Sequence, residues 1–249
     1  MIRRRALLAA AALIVAAPAF ANWTATGTFR YQDRDWDATG FTGGISSMPI
    51  RFADVEIIDP NKSGSKRLLA SGKTDANGAF SIAVTDSSTR TVRLLVYTRS
   101  TKTTDLFVKV VNLGGSIYAG QSPDVTNHNP NTNVNFGTLT AMAFAGAEAF
   151  NIFDLQVYGA DYVKHLSGSR PGSNRLYTVR WQSNGGVTVA QTSGATTTLR
   201  DTAGYDDPVI QHEWSHYVMY YYSKSSNPAG RSIPESHWKT AAAAWKPLW

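Results

Sequence analysis

The sequence predicts a β-sandwich followed by an α+β domain, and three observations carry that prediction. A secretory-type leader comes first. Short alternating strands punctuated by turn residues then run to about Leu139, and beyond it the apolar pattern changes to helical spacing. The expected divisions are residues 1–21 as leader, 22–139 as the sandwich and 140–249 as the α+β domain.

Arg3, Arg4 and Arg5 form a basic head, Ala6 to Ala17 an apolar core, and Ala19-Phe20-Ala21 a small-x-small cleavage site, so cleavage is expected after Ala21. The apolar run is nearer a dozen residues than the ~20 that a bilayer needs. The expectation is a protein secreted or periplasmic in a bacterium, with no membrane association once the leader is gone. Its removal takes three arginines and lowers the formal net charge from +6 to +3. Nucleic-acid binding thereby loses its main support. The chain has no cysteine, so its stability must come from packed cores although its compartment would permit disulfides.

Within the sandwich segment, Phe80, Ile82 and Val84 alternate with Ser81 and Ala83, and Val92, Leu94 and Val96 repeat the pattern. Ile50 to Ile57 alternates with one phase slip near Ala53, where a bulge is expected, and Leu106 to Leu113 is a further strand. Thr74-Asp75-Ala76-Asn77-Gly78 precedes the Phe80 strand as a turn. Asp75 and Asn77 resemble calcium ligands, but turn chemistry accounts for them, because Asp and Asn side chains bond nearby backbone and Gly78 supplies a positive φ. Gln121 to Asn135 is rich in Asn, Pro and Thr without periodicity, which reads as a long loop late in the first domain or a linker, with His128 solvated.

In the second segment, Ala141 to Lys164 reads as a largely buried helix. Strands follow at Arg175–Gln182, Val187–Thr192 and Thr196–Arg200, with Asn184-Gly185-Gly186 as a hairpin turn between the first two. The last helix is expected to open at Pro208, its first position, behind an acidic cap at Asp206-Asp207, and Val209–Ser223 then runs without Gly or Pro. Asn227-Pro228-Ala229-Gly230 supplies its stop.

That helix carries His212-Glu213-Trp214-Ser215-His216. Histidines four apart lie about 40° from each other on a helix, so both imidazoles can reach one metal ion from consecutive turns, as zinc ligands do. Glu213, next to the first ligand, is placed to take a proton from a metal-activated water without being a ligand itself. Ile210, Trp214, Tyr217 and Tyr221 form an apolar stripe roughly opposite, so packing and metal binding do not compete. The competing reading is an ordinary amphipathic helix with two satisfied imidazoles. A third ligand is required, and a histidine six residues after His216 is excluded because Tyr222 stands there. Glu235 and His237 are the remaining candidates, each equally readable as an exposed polar residue in an irregular tail.

Two resemblances follow from these motifs. Gly27 to Asp33, Pro49 to Ile57 and Thr74 to Phe80 resemble the transthyretin-like, carboxypeptidase-regulatory family of small sandwiches, which implies a fold and an accessory role. Ala149 to Asp154 together with Asp206 to Met219 resembles zincin-type secreted bacterial metallopeptidases that carry a sandwich in front. The second resemblance implies a Glu ligand on a later helix opening with an Ala-Trp-Ser-Glu-Gly-Trp-like motif. Here the chain reads Ala244-Trp245-Lys246-Pro247-Leu248-Trp249, with Pro247 at the expected Glu, so the zincin-like domain is expected to be incomplete. A fragment, a shifted reading frame or a degenerate homologue each fits that departure.

The functional expectation is a secreted zinc metalloendopeptidase acting on protein or peptide substrates, with His212 and His216 as zinc ligands and Glu213 as general base. The alternative is an inactive or fragmentary homologue acting as an envelope binding protein through its sandwich, where Trp23, Tyr31, Trp36 and Phe41 offer aromatic contacts to a glycan or protein. Zinc content and hydrolysis separate the two.

Overall fold

The computed structural model describes residues 22–37, 39–101, 106–171 and 176–223. Its strands are β1 (Asn22–Asp37), β2 (Gly40–Pro49), β3 (Asp54–Ile58), β4 (Leu68–Lys73), β5 (Ala79–Thr85), β6 (Arg90–Tyr97), β7 (Arg99–Ser100), β8 (Val108–Val111), β9 (Ala119–Gln121), β10 (Val125–His128) and β11 (Val134–Ala141). Helix α1 (Ala147–Ser167), strands β12 (Tyr177–Arg180), β13 (Gln191–Ser193) and β14 (Thr196–Thr198), and helix α2 (Asp207–Ser223) complete the order.

Two sheets form the sandwich. In the first, the long β1 has parallel β11 on one side, while β5 and then β2 pair antiparallel along the other. In the second, β6 lies beside β3, β3 beside β4, and β9 and β10 share the far edge of β6. The β5 alternation seen in the sequence is realised, with Phe80, Ile82 and Val84 buried and Ser81, Ala83 and Thr85 exposed. Across the gap, a Cβ on Gly72 of β4 would lie 2.7 Å from Cγ1 of Ile82, so the sheets meet where glycine lets the backbone approach.

The expected bulge near Ala53 is instead the crossing between the two sheets. Phe52 turns the chain at φ 55°, and Ala53 and Thr74 exchange two bonds, Ala53 N–H to Thr74 Oγ1 at 2.9 Å and Thr74 N–H to Ala53 O at 3.0 Å. The Asp75 turn follows the expected chemistry: its Oδ1 accepts the N–H groups of Asn77 and Ala79 at 2.8 and 2.9 Å, and Gly78 has φ 76°.

The stretch 121–135 departs from its expectation, because it contributes β10 and the start of β11. Its polar side chains take the place of ladder bonds. Ser122 Oγ accepts the Leu94 N–H where β9 gives way to β10, and Asn133 Oδ1 accepts the Thr24 N–H. His128 is 5% exposed, packs on Trp23 with ring centroids 4.2 Å apart, and bonds Thr132 O through Nε2 at 2.7 Å. It is a core residue, not a solvated one. Trp23 and Tyr31 are likewise buried and offer no surface contact, whereas Phe41 is exposed. The side chain of Trp36 lies outside the described part.

A third sheet, ordered β13-β14-β12-β8-β7, joins the segments 22–139 and 140–249 through parallel pairing of β8 with β12, Val108 opposite Tyr177 and Val111 opposite Arg180. The turn at Asn184–Gly186 does not make the expected hairpin. Its N–H groups at Gly186 and Val187 bind Asp201, while the hairpin is β13–β14, turning at Gly194 with φ 59°. Helix α1 starts six residues later than its pattern suggests. Ala141 still pairs with Tyr31, and Phe144 and Gly146 adopt φ 63° and 105°, which no helix tolerates.

Helix α1 is fixed to the sandwich by charge as well as by packing. Arg51, just after β2, donates Nε to Asp154 Oδ1 at 2.7 Å and Nη2 to Asp154 Oδ2 at 2.9 Å, while Tyr31 O–H reaches Asp154 Oδ2 at 3.3 Å. Burial raises the Asp154 carboxyl above its ordinary value and the Arg51 guanidinium opposes that shift.

Candidate metal centre on the second helix

Helix α2 starts at Asp207, one residue before the expected Pro208. Asp206 accepts the Val209 N–H at 3.3 Å and pairs with Arg200, and Pro208 occupies the second helical position, where its missing N–H costs nothing. Asn151 of α1 donates Nδ2 to Gly204 O and to Asp207 Oδ1, at 3.0 and 3.1 Å, and so ties the two helix starts together. Loss of water raises the Asp207 carboxyl to about 7; the Asn151 bond lowers it, while the carboxylates of Asp33, Asp206 and Asp154 push it further up.

The apolar stripe seats the helix. Ile210, Trp214 and Tyr217 are buried. Trp214 lies over Gly159 of α1, where a Cβ would fall 2.4 Å from the indole Nε1, so only glycine admits this approach. Tyr177 of β12 stacks on Tyr217 with centroids 4.3 Å apart and meets Trp214 edge-on at 5.2 Å. The fourth buried position on this side is Glu213, 2% exposed.

His212 and His216 are half-buried and converge, with Nε2 atoms 2.8 Å apart and ring centroids at 4.6 Å. Two Zn–N bonds of about 2.0–2.1 Å at a tetrahedral angle place ligand nitrogens roughly 3.3 Å apart. A separation change of about 0.5 Å, within the reach of small χ rotations, suits the pair to one ion. The two imidazoles therefore fit as two ligands of a tetrahedral site. Among the described residues no group of three His, Cys, Asp or Glu side chains could hold a metal, and Glu235 and His237 lie outside them.

Glu213 is the most buried of the motif's three polar groups. Its Oε2 accepts from Thr192 Oγ1 of β13, whose oxygen is 2.6 Å from Thr197 Oγ1 of β14; that oxygen is in turn 2.6 Å from the Tyr177 hydroxyl. Burial raises the Glu213 carboxyl, while the Thr192 bond and nearby His216 lower it. The sequence reasoning missed Thr192, Thr197 and Tyr177. The signal was present, since Thr192 and Thr197 flank Gly194-Ala195 symmetrically and a tight turn there makes them cross-strand partners.

Geometry of this kind invites comparison with known proteins. Residues 24–147 match the Mycolysin middle domain. That is a domain of secreted bacterial metallopeptidases, and the match supports a peptidase-associated β-sandwich over those residues. The match ends at the first residue of α1, well before His212. No curated protein matches the chain. Among solved structures, a 9R-lipoxygenase from Cyanothece PCC8801 is 18% identical at a TM-score of 0.29, over 61% of this chain and 25% of that one. An (S)-allantoin synthase is 7% identical at a TM-score of 0.26, over 49% of this chain and 42% of that one. The chain thus spans a quarter to two-fifths of those proteins, and at such TM-scores the likeness carries no argument. Among the described residues, no helix is long and apolar enough to cross a membrane.

Proposed function

We propose that this protein is a secreted zinc metalloendopeptidase that hydrolyses peptide bonds of protein or peptide substrates. The observation that carries the reading is the convergence of the His212 and His216 Nε2 atoms beside a buried, hydrogen-bonded Glu213, on a helix attached to a sandwich of the Mycolysin-middle type. His212 and His216 would hold zinc, which when bound supplies Lewis-acid polarisation of the scissile carbonyl and of a water. Glu213 accepts the proton of the attacking water and returns it to the leaving amine, a role that suits a carboxyl whose burial moves it toward neutrality. Trp214, Tyr177 and Tyr217 hold the helix rigid behind it.

The test is zinc content and casein hydrolysis for the parent and Glu213→Gln. The reading expects zinc in both and a loss of roughly 10²–10⁴-fold in rate for the variant. A zinc-loaded Glu213→Gln protein that cleaves as fast as the parent removes the assigned role. A second reading, an inactive envelope binding protein, is favoured by one observation, that the described residues supply no third ligand. It expects weak zinc binding and no hydrolysis by the parent.

A further inference from the structure

We propose that Thr192 is a positioning residue for Glu213, and that it acts through a one-way hydroxyl chain running Tyr177, Thr197, Thr192, Glu213. This inference rests on the peptidase reading for its catalytic meaning but on geometry for its existence. An ionised carboxylate has only acceptors to offer, and the other acceptor in reach of the Thr192 hydroxyl, the Glu213 backbone oxygen, is farther away at 3.3 Å, so the single Thr192 proton goes to Glu213 Oε2. Thr192 can then only accept from Thr197, and Thr197 only from the Tyr177 hydroxyl, across contacts of 2.6 Å each. Every donor in the line therefore points toward the carboxylate. Such aligned dipoles strengthen one another in a site with little water, and Thr197 and Tyr177 are 0% and 1% exposed.

The scaffold makes the chain stiff. Thr192 and Thr197 are directly opposed in the β13–β14 ladder, Thr197 lies opposite Val179 of β12, and Tyr177 stands on the same strand as Val179. Tyr177 also stacks on Tyr217, one helical turn beyond Glu213. One carboxylate oxygen is thus clamped by the sheet while the helix holds the backbone. A buried Glu with one oxygen fixed has its carboxylate plane limited to a narrow range, which is what a general base must have to meet a water in a reproducible place.

The experiment has two readouts on the full chain. In the metal-free protein carrying ¹³C-labelled glutamate, the Glu213 carboxylate band is isolated as the infrared difference between parent and Glu213→Gln. Thr192→Val is expected to shift that band and Thr192→Ser to restore it, with Tyr177→Phe shifting it less. In the zinc-loaded protein, Thr192→Val is expected to lower kcat by roughly ten- to a hundredfold with KM and zinc content unchanged, and Thr192→Ser to recover most of the loss. Thermal melting of each variant confirms that it is folded. An unmoved band in folded Thr192→Val overturns the positioning role, whether or not the parent is active. A shifted band with a zinc-loaded parent that does not hydrolyse overturns the peptidase reading, and with it any catalytic use of the bond.

Discussion

Gly159→Ala is the substitution on which the seating of α2 can be judged, because its sign is set by one contact. In an exposed helix interior, replacing Gly by Ala stabilises by about 1 kcal/mol. Here the new methyl would fall 2.4 Å from Nε1, 2.6 Å from Cδ1 and 2.9 Å from Cε2 of Trp214, all in one rigid ring. That ring cannot swing aside, because Tyr177 and Tyr217 hold it at centroid distances of 5.2 and 5.0 Å and it is only 5% exposed. The helices must separate instead. Overpacking of this kind costs about 1–3 kcal/mol, and the rigid neighbour puts the cost near the upper end. After the helix-propensity gain is subtracted, the net expectation is a destabilisation of about 1–2 kcal/mol. For a domain of this size that lowers Tm by roughly 3–6 °C. Urea unfolding followed by tryptophan fluorescence is the assay, and equal or greater stability in Gly159→Ala would refute the close α1–α2 contact.

Arg51→Met strips the buried Asp154 of its bidentate partner and is expected to cost about 3 kcal/mol, with Arg51→Met/Asp154→Leu recovering most of it; equal losses in single and double variants, read by urea unfolding, would contradict a paired charge. Asp207 has a folded pKa near 7 against an ordinary 3.8, so the native state binds the extra proton between these values and stability falls as pH rises through that window. Relative to the parent, Asp207→Asn should therefore gain stability from pH 4 to pH 8, by up to about 4 kcal/mol, and parallel curves would show that the carboxyl titrates normally. Gly78→Ala places a methyl 2.3 Å from Phe29 O at φ 76°, and a loss of about 2 kcal/mol or more is expected in thermal melting, with an unchanged Tm counting against the turn. Removal of metal by a chelator should abolish casein hydrolysis and zinc should restore it; hydrolysis insensitive to chelation would count against the His212–His216 site.

Local patterns were legible wherever the residues that decide a conformation are neighbours in sequence. The β5 alternation, the Asp75 turn and the capped start of α2 each follow from a few consecutive side chains. The two convergent histidines are legible for the same reason, since helical spacing alone brings them together. The rest depends on distant partners. Nothing near Val108 announces that it will lie beside Tyr177, and nothing near His128 announces the Trp23 ring that removes it from water. Polar composition misled over 121–135, because β10 and the start of β11 pair there with β6 and β1 while the Ser122 and Asn133 side chains bond backbone beside them. Helix α1 was anticipated early because an apolar run continues through Met142–Ala145, and only the positive φ of Phe144 and Gly146 separates strand from helix.

The parallel ladder between Val108–Val111 and Tyr177–Arg180 has a consequence for biogenesis. As the polypeptide leaves the ribosome or the export channel, the earlier strand emerges some sixty-odd positions before the one that will flank it, a wait of several seconds at typical elongation speeds. Throughout that interval one margin of Val108–Val111 stays open to wrong neighbours. A truncated gene product stopping just after α1 would keep that margin bare for good, so aggregation, not a tidy miniature protein, is what such a deletion should yield.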